Sequence, residues 1–153
     1  MAIDASASLG NIQRSVQRFF REEIETDLSI PVYYDRSLFE PDGEPQKWVS
    51  IKFDDCEIKE MSNIGLSVYA CTDADSDFID CAELRDSIID VCTDSTDMCG
   101  VKRFTLYSIS GATWTAYSKI LIANRFLDSG VLEGPQGVKF IKIIMMLRTP
   151  SKL

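Results

Sequence analysis

Val138-Lys139-Phe140-Ile141-Lys142-Ile143-Ile144-Met145-Met146-Leu147-Arg148 is the stretch that decides the fold of this chain. Successive side chains of a strand point to opposite faces of a sheet. Phe140, Ile144 and Met146 therefore share one face, and Ile141, Ile143, Met145 and Leu147 share the other. A strand that is apolar on both faces is central in a sheet, or has its outer face covered by a neighbour.

Working outward, residues 114–127 read as the long strand that precedes it. Between the two, residues 128–137 contain Ser129-Gly130, Gly134-Pro135 and Gly137, the composition of a flexible hairpin tip. A C-terminal β-hairpin is expected. Residues 101–109 form another strand, turned by Ser110-Gly111. Further upstream, Val49, Ile51 and Phe53 alternate with Ser50, Lys52 and Asp54, and Leu66, Val68 and Ala70 alternate with Gly65, Ser67 and Tyr69. These are two antiparallel strands with one buried face. Ile30-Pro31-Val32-Tyr33-Tyr34 is a short strand, with its proline near the start where a missing N–H is tolerated.

Two segments carry helical periodicity. Ile12, Val16, Phe19, Phe20 and Ile24 form a stripe over residues 9–27, with Ser8 or Asn11 as cap. Cys81, Leu84, Ile88 and Val91 form a second stripe over residues 77–93. Residues 1–8 are small and polar and read as a mobile arm, ahead of a single domain over residues 9–153. The predicted order is α-β-β-β-α-β-β-β. This is an α+β domain, an antiparallel β-sheet with both helices packed on one face.

Composition excludes several chemistries. The chain has 153 residues, enough for one domain to bury a sizeable core, and no His. Ser-His-Asp and Cys-His catalysis, His-ligated metals and a histidine pH switch are therefore absent. The five cysteines, Cys56, Cys71, Cys81, Cys92 and Cys99, contain no Cys-x-x-Cys and are odd in number. They read as small core hydrophobes in a reducing compartment. Asp73-x-Asp75-x-Asp77-x-x-Asp80 resembles the start of a calcium loop, but Phe78 stands where the turn needs Gly and Leu84 where a bidentate Glu belongs. Asp77 and Asp80 read instead as first-turn residues favoured by the helix dipole. Gly134-Pro135-Gln136-Gly137 lacks the Lys-Ser/Thr of a phosphate loop. No metal, cofactor or catalytic residue is expected. No apolar run approaches the roughly 20 residues of a membrane span, and the N-terminus does not read as a signal peptide.

The charge is divided along the chain. Residues 1–100 carry 8 basic and 22 acidic side chains, and residues 101–153 carry 8 basic and 2 acidic, so a net of −14 faces a net of +6. Unless the halves interleave in one sheet and cancel locally, such a surface attracts a copy of itself head to tail.

The run over residues 8–148 resembles the tail terminator (tail completion) proteins of long-tailed bacteriophages. The resemblance is carried by the amphipathic first helix leading into Ile30-Pro31-Val32-Tyr33, and by the loop with Pro41 and Pro45 leading into Trp48-Val49-Ser50-Ile51-Lys52-Phe53. Ile64-Gly65-Leu66-Ser67-Val68-Tyr69 then precedes the second helix, and a hairpin closes the chain. The resemblance implies a structural virion protein in the tail-neck region, assembled in the host cytoplasm. It implies a hexameric ring that caps the tail tube, ends its polymerisation and docks to a head-completion protein. DNA would be only cargo passing through the lumen, and no membrane partner is expected. The alternatives are another connector component, such as a stopper or tube-type protein, or a monomeric small-molecule module or enzyme.

Candidate interface residues come from two loops and from the C-terminal cations. The twelve-residue loop over 35–46 displays Leu38 and Phe39, which either tuck onto the core or meet a partner. The tip supplies Gly130, Leu132 and Gly134, and the cations are Lys102, Arg103, Lys119, Arg125 and Lys139.

Overall fold

The computed structural model describes residues 8–34, 45–57, 61–73, 77–123 and 125–150. Its first helix, α1 (Leu9–Phe20), continues as a π-helical segment, Arg21–Thr26. Ser8 caps it, with its hydroxyl oxygen accepting the Asn11 N–H. Ile12, Val16, Phe19, Phe20 and Ile24 are buried, as the stripe requires. The strands are β1 (Val32–Tyr34), β2 (Lys47–Glu57), β3 (Met61–Thr72), β4 (Lys102–Ser110), β5 (Thr113–Ile122), β6 (Leu127–Asp128), β7 (Leu132–Glu133) and β8 (Lys139–Pro150). The second helix, α2 (Ile79–Val91), lies between β3 and β4 in the chain. It begins two residues later than expected, because Phe78 takes a left-handed backbone (φ 62°) and Asp77 falls outside the first turn.

The domain is α+β, with one sheet in the order β1-β2-β3-β8-β5-β4 and β6 and β7 also on β8. The last strand in sequence is thus central, as its two apolar faces demand. The sheet is antiparallel except at one edge, where β1 runs parallel to β2. An all-antiparallel sheet was expected. Twelve residues, 35–46, separate β1 from β2 in sequence, the length a parallel crossover needs.

The long strand expected over 114–127 is interrupted at Ile122. From Ile122 to Leu127 the chain advances five residues while β8 advances three, from Leu147 to Ile144, so two extra residues bulge out. From Asp128 to Leu132 it advances four against three. The segment expected to be a flexible tip is therefore mostly a bulged continuation of the hairpin along β8. The turn itself is the 3-10 segment Pro135–Gly137, closed by Gly134 N–H donating to Val138 O at 2.7 Å. The hairpin holds because each interruption resumes in a register that keeps β8 paired.

Strands from the two sequence halves do not interleave. β1, β2 and β3 form one side of the sheet, and β8, β5 and β4 the other. The helices cross this division: α1 packs on β4, and α2 on β3 and β8. One main core joins Val16, Phe20 and Ile24, Leu84 and Ile88, and Val49, Leu66, Leu106, Ile120, Ile143 and Met145. A smaller cluster of Trp48, Cys71 and Val138 lies on the other side of the sheet, with Tyr33, Tyr69 and Phe140 around it.

Candidate functional site

β8 shows how the site is made. On its inner face Ile141, Ile143, Met145 and Leu147 are buried in the main core. On its outer face burial changes along the strand. Across the sheet, Trp48, Cys71, Phe140 and Leu132 form one row of directly paired residues. Trp48 and Cys71 are buried there, so this end covers itself. Four residues on, Ile144 is 40% exposed, as is Met146. Their partners on β3 are Ser67 and Gly65, which are too small to shield them. Ser67 donates its hydroxyl hydrogen to Asp54, and a side chain on Gly65 would come within 3.2 Å of Asp54 Cβ. Close approach of β2 thus keeps that neighbour small. On the other flank Leu127, paired with Ile144, is 56% exposed.

The result is a groove of about 360 Å³ lined by Ala123, Leu127, Ile144 and Met146, with Arg125 and Arg148 at its rim. Ala123, Arg125 and Leu127 build one wall, anchored by Ala123 N–H donating to Met146 O at 2.9 Å. The groove's described lining carries no carboxylate, hydroxyl or thiol. An apolar floor with guanidinium rims suits an apolar side chain flanked by carboxylates.

The remaining sequence candidates fall elsewhere. Leu38 and Phe39 lie outside the described residues, as do most of the expected arm and part of the Asp73–Asp80 pattern. Lys102, Arg103 and Lys119 come together in a separate cleft of about 190 Å³ between α1 and β4, with Arg18, Glu22 and Tyr107. Three of the cations there are engaged within the chain. Arg103 pairs with Asp97 at 3.0 Å, Lys119 donates to Thr105 at 3.1 Å, and Arg18 pairs with Glu22 at 2.9 Å. The Arg18 guanidinium also lies over the Tyr107 ring at 4.4 Å. Below the cleft, the buried Ser15 hydroxyl accepts the Tyr107 N–H at 2.9 Å. This satisfies a backbone donor at the sheet edge and limits edge pairing. Lys139 pairs with Glu133 at 2.6 Å and lies over the Phe78 ring. Gly130 holds φ 68° between β6 and β7, its N–H donating to Asp128 at 3.1 Å, and Leu132 is exposed beside it. Sequence reasoning placed Arg125 at an interface. It did not place Arg148, Leu127, Ile144 and Met146 there, although the two-faced pattern of β8 was the signal for the last two.

Ionisable groups follow their surroundings. Asp128 accepts from Arg85, which holds its carboxyl below the ordinary range. Burial pushes the Cys71 and Cys92 thiols up, so neither is a ready nucleophile. Cys71, Cys81 and Cys92 are buried as expected of core cysteines, whereas Cys99 is exposed, in a turn held by Asp97 rather than in an apolar element. The side chain of Cys56 lies outside those described. Among the described residues no group of three or more His, Cys, Asp or Glu could hold a metal ion. Among them, too, no helix is long and apolar enough to cross a membrane.

No family model and no curated protein matches this chain. Among solved structures, one superposes on 96% of this chain and 97% of its own at a TM-score of 0.58, with 10% sequence identity. At that identity the likeness is one of fold: over nearly its whole length, this chain is similar in architecture to that structure.

Proposed function

We propose that this protein is a structural subunit that assembles with its own copies into a ring at the end of a bacteriophage tail tube. It acts there as a tail terminator. It stops tube polymerisation and joins the tail to a head-completion protein, with DNA passing through the lumen and no reaction catalysed. In this reading both helices cover one face of the sheet, the other face is left for assembly, and the protein resides in the tail-neck region of the virion. The observation that carries the proposal is the open outer face of β8, the central strand, where Ile144 and Met146 are 40% exposed beside Arg125 and Arg148. A central strand with an unburied apolar face is what a subunit with a neighbour retains. The strands of the two differently charged halves lie on opposite sides of the sheet, which supports it, although the helices cross between them.

Light scattering on the purified protein, alone and mixed with its tail tube protein, tests the reading. A closed ring with the mass of six chains is expected, at least in the mixture. A chain that stays monomeric beside the tube, or a ring that leaves tube length unchanged, would remove it.

A further inference from the structure

The geometry points to a specific contact between copies: the β8 groove of one chain receives the exposed Ile79 and the acidic stripe of α2 from a second copy. This rests on the ring reading above and names the two surfaces that would meet. Ile79, Glu83, Asp86 and Asp90 recur at intervals of four, three and four, so they share one face of α2. All four are exposed, Ile79 at 57%, while Cys81, Leu84 and Ile88 bury the opposite face. Asp80 adds a further exposed carboxylate beside Ile79. This is an apolar knob with carboxylates next to it, the complement of an apolar groove with two guanidinium groups at its rim.

Among the described residues, most of the charge on both surfaces is uncompensated within the chain. Arg85 binds Asp86 at 2.7 Å and also Asp128. Among the described residues, Asp80, Glu83 and Asp90 make no ion pair, and neither do Arg125 and Arg148. The two surfaces cannot meet within one molecule. Phe78, just before Ile79, lies against Lys139 with 5.0 Å from Nζ to the ring centre. The groove centres on Ile144 and Met146, five and seven residues further along β8, or about 17–23 Å at strand spacing. It also opens on the opposite face of the sheet from the core that holds α2. A knob on one side and a groove on the other make a heterologous, head-to-tail contact, the kind that closes into rings.

Reciprocal charge reversal in the full chain tests this contact. One variant carries Arg125→Glu with Arg148→Glu, the other Asp80→Lys with Glu83→Lys. Each alone is expected to self-associate about tenfold or more weakly than wild type in sedimentation, because like charges then face each other. Mixed in equal amounts they are expected to regain assembly, since every groove meets a stripe of opposite sign when the two alternate around an even-numbered ring. Circular dichroism confirms that each variant is folded. Should one misfold, the milder pair Arg125→Gln and Glu83→Gln is expected to weaken association without reversing charge. If the wild type assembles and the folded variants associate equally well, or the mixture recovers nothing, the contact is wrong and the ring reading stands. If the wild type never assembles, even beside its tube partner, the ring reading falls and the contact with it.

Discussion

The two faces of β8 carry nearly the same side chains and have different fates. Ile143 and Ile144 are neighbours of one type, yet the first is fully buried and the second 40% exposed. The inner face meets α1 and α2 through the main core. Among the described residues, the outer face meets only what the sheet itself supplies. It closes where Trp48 reaches over and stays open where Ser67 and Gly65 stand opposite. Apolar sequence therefore marks a strand as buried on both sides, and the size of the cross-strand neighbour decides whether the chain buries it alone.

Substitutions can break this contrast in order of effect. Trp48→Ala removes the largest side chain of the covered end and should destabilise the monomer by about 3–5 kcal/mol, measured by urea unfolding. An effect below about 1 kcal/mol would mean that end is not a second core. Ile143→Ala should cost about 2–5 kcal/mol by the same assay, whereas Ile144→Ala should cost less than about 1 kcal/mol in the monomer, because its side chain already faces water. Equal losses would erase the distinction between the faces. Met146→Asp should leave the unfolding free energy within about 1 kcal/mol of wild type. It should still weaken self-association by about tenfold or more in sedimentation, since a desolvated carboxylate replaces an apolar contact.

The smallest effect sharpens the link between α2 and the hairpin. Asp128 on β6 accepts from Arg85 Nε at 2.9 Å. Its carboxyl is held low by that hydrogen bond and by the Gly130 N–H. A lowered carboxylate stabilises the fold above the ordinary carboxylate pKa, near 4, and that contribution is lost as pH falls through the lowered value. The pair is partly exposed, so Asp128→Asn should cost less than about 1 kcal/mol at pH 7, with the difference from wild type vanishing at strongly acidic pH. A gap that persisted in acid would assign the effect to packing, not charge.

Much of the fold was legible because periodicity reports burial directly. Alternation marked β2 and β3, a 3.6-residue stripe marked α1 and α2, and continuous apolar character marked β8 as central or covered by a neighbour. The parallel β1 was not legible, since three residues carry no signal of direction and only the crossover length hinted at it. Bulges were not legible either, because β5, β6 and β7 keep strand composition through interruptions that register alone reveals. The cations Lys102, Arg103 and Lys119 read as a free basic set. Folding brings Asp97 and Thr105 to Arg103 and Lys119, and Glu22 to the same cleft.

By itself, the sequence determined the α+β class, the absence of histidine chemistry, the two helical stripes, the two apolar faces of β8 and the −14 against +6 division of charge. Each depends on residue type or on local spacing, which the chain carries before it folds. Only the tertiary structure decided that the strands of the two halves lie on opposite sides of the sheet while the helices cross between them. It alone decided that small residues on β3 leave Ile144 and Met146 open, and that Arg125 and Arg148 stand at the rim of the same groove. Those facts depend on strand order and register, which join residues up to about eighty positions apart in sequence (Ser67 and Ile144), and no local pattern encodes such a pairing.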